Sequence, residues 1–134
     1  MADATQPQKS LRSNISKVRG LGSAKEGVHH WWAQRMTALA LIPLSIWLVA
    51  SLVCMAGADH AAISQWLSAP FTLGALALTI FAAFYHAVLG LQVVVEDYIH
   101  AKFAKHAIII LIQFAGVGFA TAAIIALLVA AFAG

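Results

Sequence analysis

The chain alternates between short polar stretches and three long apolar windows. The windows cover residues 36–57, 71–95 and 107–133, and none of them contains Asp, Glu, Lys or Arg. Each window is longer than the about 20 residues that a helix needs to cross the hydrocarbon core of a bilayer. Lipid offers no partner to open backbone groups, and the windows are too continuously apolar for barrel strands. The pattern therefore predicts an all-α integral membrane protein with three transmembrane helices.

Composition agrees with this prediction and separates two regions. The chain is 62% hydrophobic and 10% charged, with a mean hydropathy of +0.87, whereas a soluble domain is about half apolar and about a quarter charged. Residues 1–28 are polar and basic and contain no apolar core, so they predict a cytoplasmic tail and not a secretory signal. Residues 29–134 then form the three-helix transmembrane domain.

The basic residues predict the orientation. All eight Lys and Arg lie before the first window or between the second and third, and residues 58–70 contain none. The positive-inside rule therefore places the N-terminus and the second loop in the cytoplasm and the C-terminus outside. The basic tail lacks interleaved aromatic residues and precedes a membrane span, so no nucleic-acid partner is expected.

His86 is the only His, Asp, Glu, Lys or Arg within the three windows. It lies roughly 16 Å from the cytoplasmic end of its predicted helix. A histidine at this depth needs a partner. It is an interhelical hydrogen bonder, a proton relay or a haem ligand. Ala82 and Gly90, one turn away on either side, are small enough for another helix to pack closely there. They would equally leave space for a flat macrocycle beside the imidazole.

Polar residues flank two of the windows. Residues 96–98 read Glu-Asp-Tyr, and acids at a helix C-terminus oppose the macrodipole. This end is a solvated interface or a polar pocket in which Tyr98 donates a hydrogen bond to a lipophilic ligand. Before the first window, His29 and His30 are adjacent and so cannot chelate a metal from one helix face. Arg35 is placed to reach lipid phosphates or to hold a carboxylate.

Two of these segments resemble one family. Residues 86–98, His-Ala-Val-Leu-Gly-Leu-Gln-Val-Val-Val-Glu-Asp-Tyr, resemble the helix-two motif of the hydrophobic membrane anchor of succinate dehydrogenase, the D-type subunit of complex II. Residues 28–38 resemble that family's first helix, where a His is followed by Arg-x-Thr-Ala. The resemblance covers about residues 22–105 and is greatest to alphaproteobacterial members. It implies a bacterial cytoplasmic (inner) membrane in preference to a mitochondrial one.

The resemblance implies cofactors and partners. A second three-helix anchor subunit of cytochrome b type would pack against this chain, and the pair would hold an iron–sulfur subunit and a flavoprotein subunit at the membrane. FAD and the iron–sulfur clusters would lie on those partners, while haem b would be shared between the anchors and ubiquinone bound nearby. By position, His86 would be the axial haem ligand. Tyr98 and Asp97 would belong to the quinone pocket, and His29 and Arg35 would lie near the haem propionates or that pocket. Of the adjacent histidines, alignment through Arg35 favours His29 over His30 for this role.

Two other classes of protein fit parts of the pattern. A non-redox membrane scaffold or assembly protein would explain the helices and leave His86 structural. A self-contained dihaem cytochrome would need four histidines at membrane depth, and only His86 meets that requirement. The family resemblance instead implies a subunit of succinate:quinone oxidoreductase that helps to transfer electrons to quinone and is not catalytic alone.

Overall fold

The described part of the chain is entirely helical. A computed structural model describes Ile15 and residues 25–132, so most of the predicted tail lies outside the described residues. The helices are α1 (Lys25–Cys54), α2 (His60–Ser68), α3 (Pro70–Tyr98) and α4 (Lys102–Phe132). Among them α1, α3 and α4 are long and apolar enough to cross a membrane. The predicted all-α fold with three apolar spans is therefore confirmed.

The long helices extend past the apolar windows. α1 has 30 residues, which corresponds to about 45 Å of helix, whereas the hydrocarbon core is about 30 Å thick. Its first turns carry Trp31, Trp32 and Arg35, residue types that suit the headgroup layer. The helix therefore extends on its N-terminal side beyond the uncharged window, through residues that include Arg35. The predicted boundary at residue 28 falls inside α1.

The short helix α2 lies in the segment treated above as a loop. The Asp59 carboxylate caps its start by accepting a hydrogen bond from the Ala62 N–H at 2.9 Å. Trp66 of α2 stacks on Trp47 of α1 with ring centroids 6.3 Å apart. Trp47 also meets Phe71 of α3 edge to face, with centroids 5.8 Å apart. These aromatic contacts tie α2 to the C-terminal end of α1 and the N-terminal end of α3.

The three long helices form an open layer with α3 in the middle. α3 packs against both α1 and α4, whereas α1 and α4 do not contact each other within the described residues. The few buried side chains belong almost entirely to α3, namely Thr72, Ala82, Leu89 and Val95, with Ala131 of α4. Most large apolar side chains of the layer are exposed. The two faces of this layer, which α1 and α4 do not cover, are therefore open to lipid or to other helices.

Gly116 of α4 lies directly against the Val88 side chain of α3. A Cβ built on Gly116 would overlap the side chain of Val88, whereas a Cβ on Gly118 would meet nothing within 4 Å. Small residues at membrane helix interfaces allow backbones to come this close. Gly116 is thus a packing requirement of the α3–α4 pair.

Candidate functional site

His86 lies on α3 with both ring nitrogens directed at polar groups of α1. Its Nδ1 is 3.0 Å from the Thr37 hydroxyl oxygen, and its Nε2 is 3.4 Å from the Gln34 amide nitrogen. The ring is half-buried. A histidine inside an apolar helix is costly unless it is paired, and here α1 supplies the partners.

The partners of His86 come from a polar strip of α1, formed by His30, Gln34 and Thr37. These positions are spaced four and three residues apart, so they lie on one helix face. All three side chains are half-buried, consistent with a face that packs on α3. The Thr37 hydroxyl is also 2.8 Å from the carbonyl oxygen of Ala33 and 3.0 Å from that of Gln34. The strip is therefore held both by its own helix and by α3.

A cleft of about 450 Å³ lies between α1 and α3 beside this strip. His30 Nε2 and Gln34 Oε1 are buried there without a hydrogen-bond partner among the described residues. A Cβ on Gly90 would meet only the Gln34 amide nitrogen, at 3.5 Å. The lining residues are Gly27, His30, Trp31, Gln34, Arg35, Gly90 and Val93. The cleft thus combines an apolar floor with donors and acceptors that still lack partners.

The structure separates the adjacent histidines of α1. His30 lines the cleft, whereas His29 is exposed and does not line it. Arg35 also lines the cleft, and its guanidinium carbon is 3.6 Å from the centroid of the Trp31 ring, a cation–π distance. The predicted pair of His29 and Arg35 is therefore not brought together at the cleft, and His30 takes the place next to Arg35.

Asp97 and Tyr98 lie at the C-terminal end of α3 and do not line the cleft. Both are exposed, and the Tyr98 side chain is 79% exposed. Their separation from His86 along α3 places them at the predicted membrane surface and not inside the layer. The described chain offers them no enclosing pocket of its own.

The acidic end of α3 is stabilised by two neighbours. The Lys105 ammonium group donates to the Glu96 backbone carbonyl at 2.9 Å. The Gln92 amide donates to the Glu96 carboxylate at the same distance. A cation on the last carbonyls of a helix favours its dipole, so it offsets the unfavourable acids that the sequence shows there.

Three residues of this site were not singled out from the sequence. Gln34 was passed over, Thr37 was part of the Arg-x-Thr-Ala motif without a role of its own, and His30 was the less favoured alternative to His29. Their spacing along α1 was enough to predict that they share one helix face. Nothing in the sequence indicated that this face packs against His86. Within the described residues no group of three or more His, Cys, Asp or Glu is placed to hold a metal ion. Any metal at His86 therefore needs a ligand from outside the described residues or from the metal's own macrocycle.

Comparison with known proteins places the chain in a family. A family model described as the succinate dehydrogenase/fumarate reductase transmembrane subunit matches residues 9–133. The chain belongs to this family. No solved structure matches the chain with significance.

Similar proteins are succinate dehydrogenase hydrophobic membrane anchor subunits. That of Rickettsia bellii is 37% identical over 91% of this chain and 94% of its own length. That of Rickettsia conorii is 38% identical over the same shares. The Paracoccus denitrificans subunit is 31% identical over 72% of this chain and 75% of its own length. The family model also matches α4, most of which lies beyond the about residues 22–105 that carry the sequence resemblance.

Family membership makes this chain a multi-pass membrane-anchor subunit of succinate dehydrogenase. The resemblance stated from residues 28–38 and 86–98 is thereby confirmed. The chain acts as part of an enzyme complex. The scaffold alternative, a small membrane protein outside any redox enzyme, is not retained.

Proposed function

We propose that this anchor subunit and a second three-helix anchor subunit bind haem b and ubiquinone and pass electrons from the iron–sulfur subunit to quinone. The flavoprotein and iron–sulfur subunits would carry FAD and the clusters, and the complex would lie in the bacterial cytoplasmic membrane. One observation carries the proposal. His86 is held by Thr37 through one ring nitrogen and presents the other beside the cleft residue Gln34.

The residues around His86 fit a haem. Neutral imidazole is the usual axial ligand of haem iron in an apolar interior. The Gln34 amide nitrogen is 3.4 Å from Nε2, so this side chain, which lines the cleft, would have to move aside for Nε2 to bind iron. Gly90, next to Gln34, adds no side chain that would block a flat ligand. When bound, haem supplies one-electron redox chemistry, and the protein supplies position and electrostatics. The second axial ligand would come from the partner anchor.

The cleft residues fit the acidic edge of such a ligand. Arg35 and His30 present a guanidinium group and an unpartnered ring nitrogen to one cleft. Such groups form strong hydrogen bonds with carboxylates. We therefore assign Arg35 and His30 to the haem propionates or to the adjoining quinone pocket. His29, which the resemblance implied for this role, stays a prediction.

Tyr98 and Asp97 are proposed for the quinone pocket. A phenol hydroxyl can donate a hydrogen bond to a quinone carbonyl, and quinone reduction consumes protons delivered from an aqueous edge. Both residues are exposed at the predicted cytoplasmic end of α3. An exposed tyrosine on this chain is suited to a pocket whose other walls belong to the partner subunits.

The ligand assignment is tested on the detergent-solubilised complex. A dithionite-reduced minus oxidised spectrum is recorded for the parent, His86→Ala and His106→Ala. His106 is an exposed histidine whose ring contacts only the Lys102 carbonyl of its own helix, so it is a matched control. We expect a b-type band in the parent and in His106→Ala, and a lost or weakened band in His86→Ala. Succinate oxidation with artificial acceptors should persist in all three. An unchanged band in His86→Ala, or no band in the parent, contradicts the assignment.

A further inference from the structure

Thr37 occupies a position that the family resemblance did not assign to the site. Its hydroxyl oxygen is 3.0 Å from His86 Nδ1, across the interface between α1 and α3. The same oxygen is 2.8 Å from the Ala33 carbonyl and 3.0 Å from the Gln34 carbonyl. The hydroxyl thus lies between backbone acceptors on one side and the imidazole ring on the other.

The proton count at this hydroxyl determines the tautomer of His86. A threonine hydroxyl has a single proton and two acceptor lone pairs, while a carbonyl can only accept. When the hydroxyl donates to the Ala33 carbonyl, its oxygen can bond to His86 only by accepting from Nδ1–H. The lone pair of the neutral ring is then on Nε2.

A second contact, in the amide orientation of this structure, agrees with the same tautomer. The group nearest to His86 Nε2 is the amide nitrogen of Gln34, at 3.4 Å. An amide nitrogen donates and does not accept, so Nε2 must be the acceptor in this contact. Both contacts therefore agree with Nδ1–H and with an Nε2 lone pair that accepts from the Gln34 amide.

We infer that Thr37 is a positioning residue that holds His86 in the Nδ1–H tautomer and directs the Nε2 lone pair at the haem iron. The part of this inference that concerns iron rests on the proposed function, whereas the tautomer rests on the contacts alone. A metal-ligating histidine usually donates its other N–H to an acceptor, which fixes the ring and makes the ligating nitrogen more basic. A more basic ligand favours ferric over ferrous iron and so lowers the haem midpoint potential.

The test compares substitutions in the intact complex. Thr37→Val keeps the side-chain shape and removes the hydroxyl, and Thr37→Ser restores a hydroxyl. Thr79→Val is the matched control, because the half-buried Thr79 hydroxyl bonds only to the Ala75 carbonyl of its own helix, at 2.7 Å. The readouts are the haem-to-flavin ratio after purification, the affinity for added haem and the haem midpoint potential from a spectroelectrochemical titration.

We expect Thr37→Val to bind haem about 10-fold more weakly, in the range seen for lost outer-shell partners, and to raise the midpoint potential. Thr37→Ser should return both values towards the parent, and Thr79→Val should match the parent. A parent-like potential and haem content in Thr37→Val would overturn the inference. So would a Thr37→Ser variant that behaves like Thr37→Val, since the methyl group and not the hydroxyl would then matter.

The same series separates this inference from the proposed function. If His86→Ala loses the haem band while Thr37→Val matches the parent, the ligand assignment stands and the role of Thr37 fails. If His86→Ala keeps the band, the ligand assignment fails. The tautomer is tested independently of haem binding, from the ¹⁵N chemical shifts of His86 in the complex labelled with ¹⁵N-histidine. An Nε2–H form would overturn the inference. So would a change in those shifts in Gln34→Leu without a change in Thr37→Val, since Gln34 and not Thr37 would then set the tautomer.

Discussion

A histidine in lipid costs less when each ring nitrogen has a partner, and α1 provides two partners for His86. Side-chain hydrogen bonds between membrane helices contribute about 0.6 to 2 kcal/mol each. Loss of the contact to Thr37 or to Gln34 therefore weakens the α1–α3 pair without preventing helix insertion, which depends on the long apolar spans. Substitutions in this polar strip should consequently report on the site and not on a chain that fails to assemble.

Tyr98→Phe should impair quinone reduction and leave the haem spectrum intact. The side chain is 79% exposed, so removing its hydroxyl costs α3 little stability. The loss of a proton or hydrogen-bond donor at the reacting carbonyl should slow reduction by about 100-fold or more. The measurement is the rate of succinate:quinone reductase activity relative to succinate oxidation with artificial acceptors.

Tyr85→Phe is the control for this substitution. Tyr85 lies on the same helix and stacks on Phe81 with ring centroids 5.9 Å apart, a contact that phenylalanine keeps. Its quinone reductase rate should match the parent. A parent-like rate in Tyr98→Phe would mean that Tyr98 is only an interfacial anchor.

The sequence was sufficient to single out His86 and Arg35 but not their surroundings. The sequence alone shows a lone histidine in the second uncharged window and an arginine directly before the first. Which of His29 and His30 reaches the cleft depends on the rotation of α1 about its axis. That rotation is set by packing of the polar strip against α3, so only the three-dimensional structure distinguishes the adjacent histidines.

At the scale of helices, the C-terminal end of α3 depends on Lys105. Lys105→Met removes the ammonium group that donates to the Glu96 carbonyl. A favourable charge at a helix terminus contributes about 0.3 to 1 kcal/mol, so amide exchange in the last turn of α3 should accelerate by about two- to fivefold. Hydrogen exchange with mass spectrometry measures this. Lys102→Met, which replaces an exposed lysine at the start of α4, should change α3 little. Equal acceleration in both variants would argue against a cap.

Gly116 and Gly118 give a matched pair of substitutions on α4. Gly→Ala within a helix is otherwise favourable by about 1 kcal/mol, so Gly118→Ala, with open space around it, should be neutral or stabilising. Gly116→Ala places a methyl group on Val88, and overpacking costs about 1 to 3 kcal/mol. The thermal midpoint of the detergent-solubilised complex should fall only for Gly116→Ala. Adding Val88→Ala should restore it. A fall that persists in the double variant would place the strain elsewhere.

The three spans followed from the apolar windows because crossing lipid imposes a length and an absence of charge. The limits of the helices did not follow, since a helix can continue through the headgroup layer with charged and aromatic residues. α2 was missed for a different reason. It is held by the Asp59 cap and the contact of Trp66 with Trp47, and neither leaves a long apolar window. The Asp before an apolar-periodic stretch was the only local signal of this helix.

At the scale of the whole molecule, the open layer explains why this chain carries only part of a site. α3 has a neighbour on each side, but α1 contributes no buried residue to the described core. Under the proposed function His86 would offer one haem ligand, and Asp97 and Tyr98 are exposed without an enclosing wall among the described residues. An open layer of this kind leaves polar groups for other subunits to complete, as the proposed function requires of an anchor subunit.

The orientation of the layer decides whether the proposed quinone residues face the partners that deliver electrons. Lys102 and Lys105 adjoin the second loop, and the first loop has no Lys or Arg. The positive-inside rule therefore predicts that the second loop, with Asp97 and Tyr98, lies on the cytoplasmic side. Single cysteines test this placement in a Cys54→Ser background, because Cys54 is the only native thiol and is exposed.

Ala61→Cys marks the first loop region and Ala101→Cys marks the second, both at exposed alanines. In intact spheroplasts, a membrane-impermeant maleimide should label Ala61→Cys and should label Ala101→Cys only after permeabilisation. The reverse pattern would place Tyr98 on the outer face, away from cytoplasmic electron-donating subunits. The quinone assignment would then fail even with His86 confirmed as the haem ligand, because a haem at mid-membrane depth is compatible with either orientation, whereas a quinone pocket at the helix end is not.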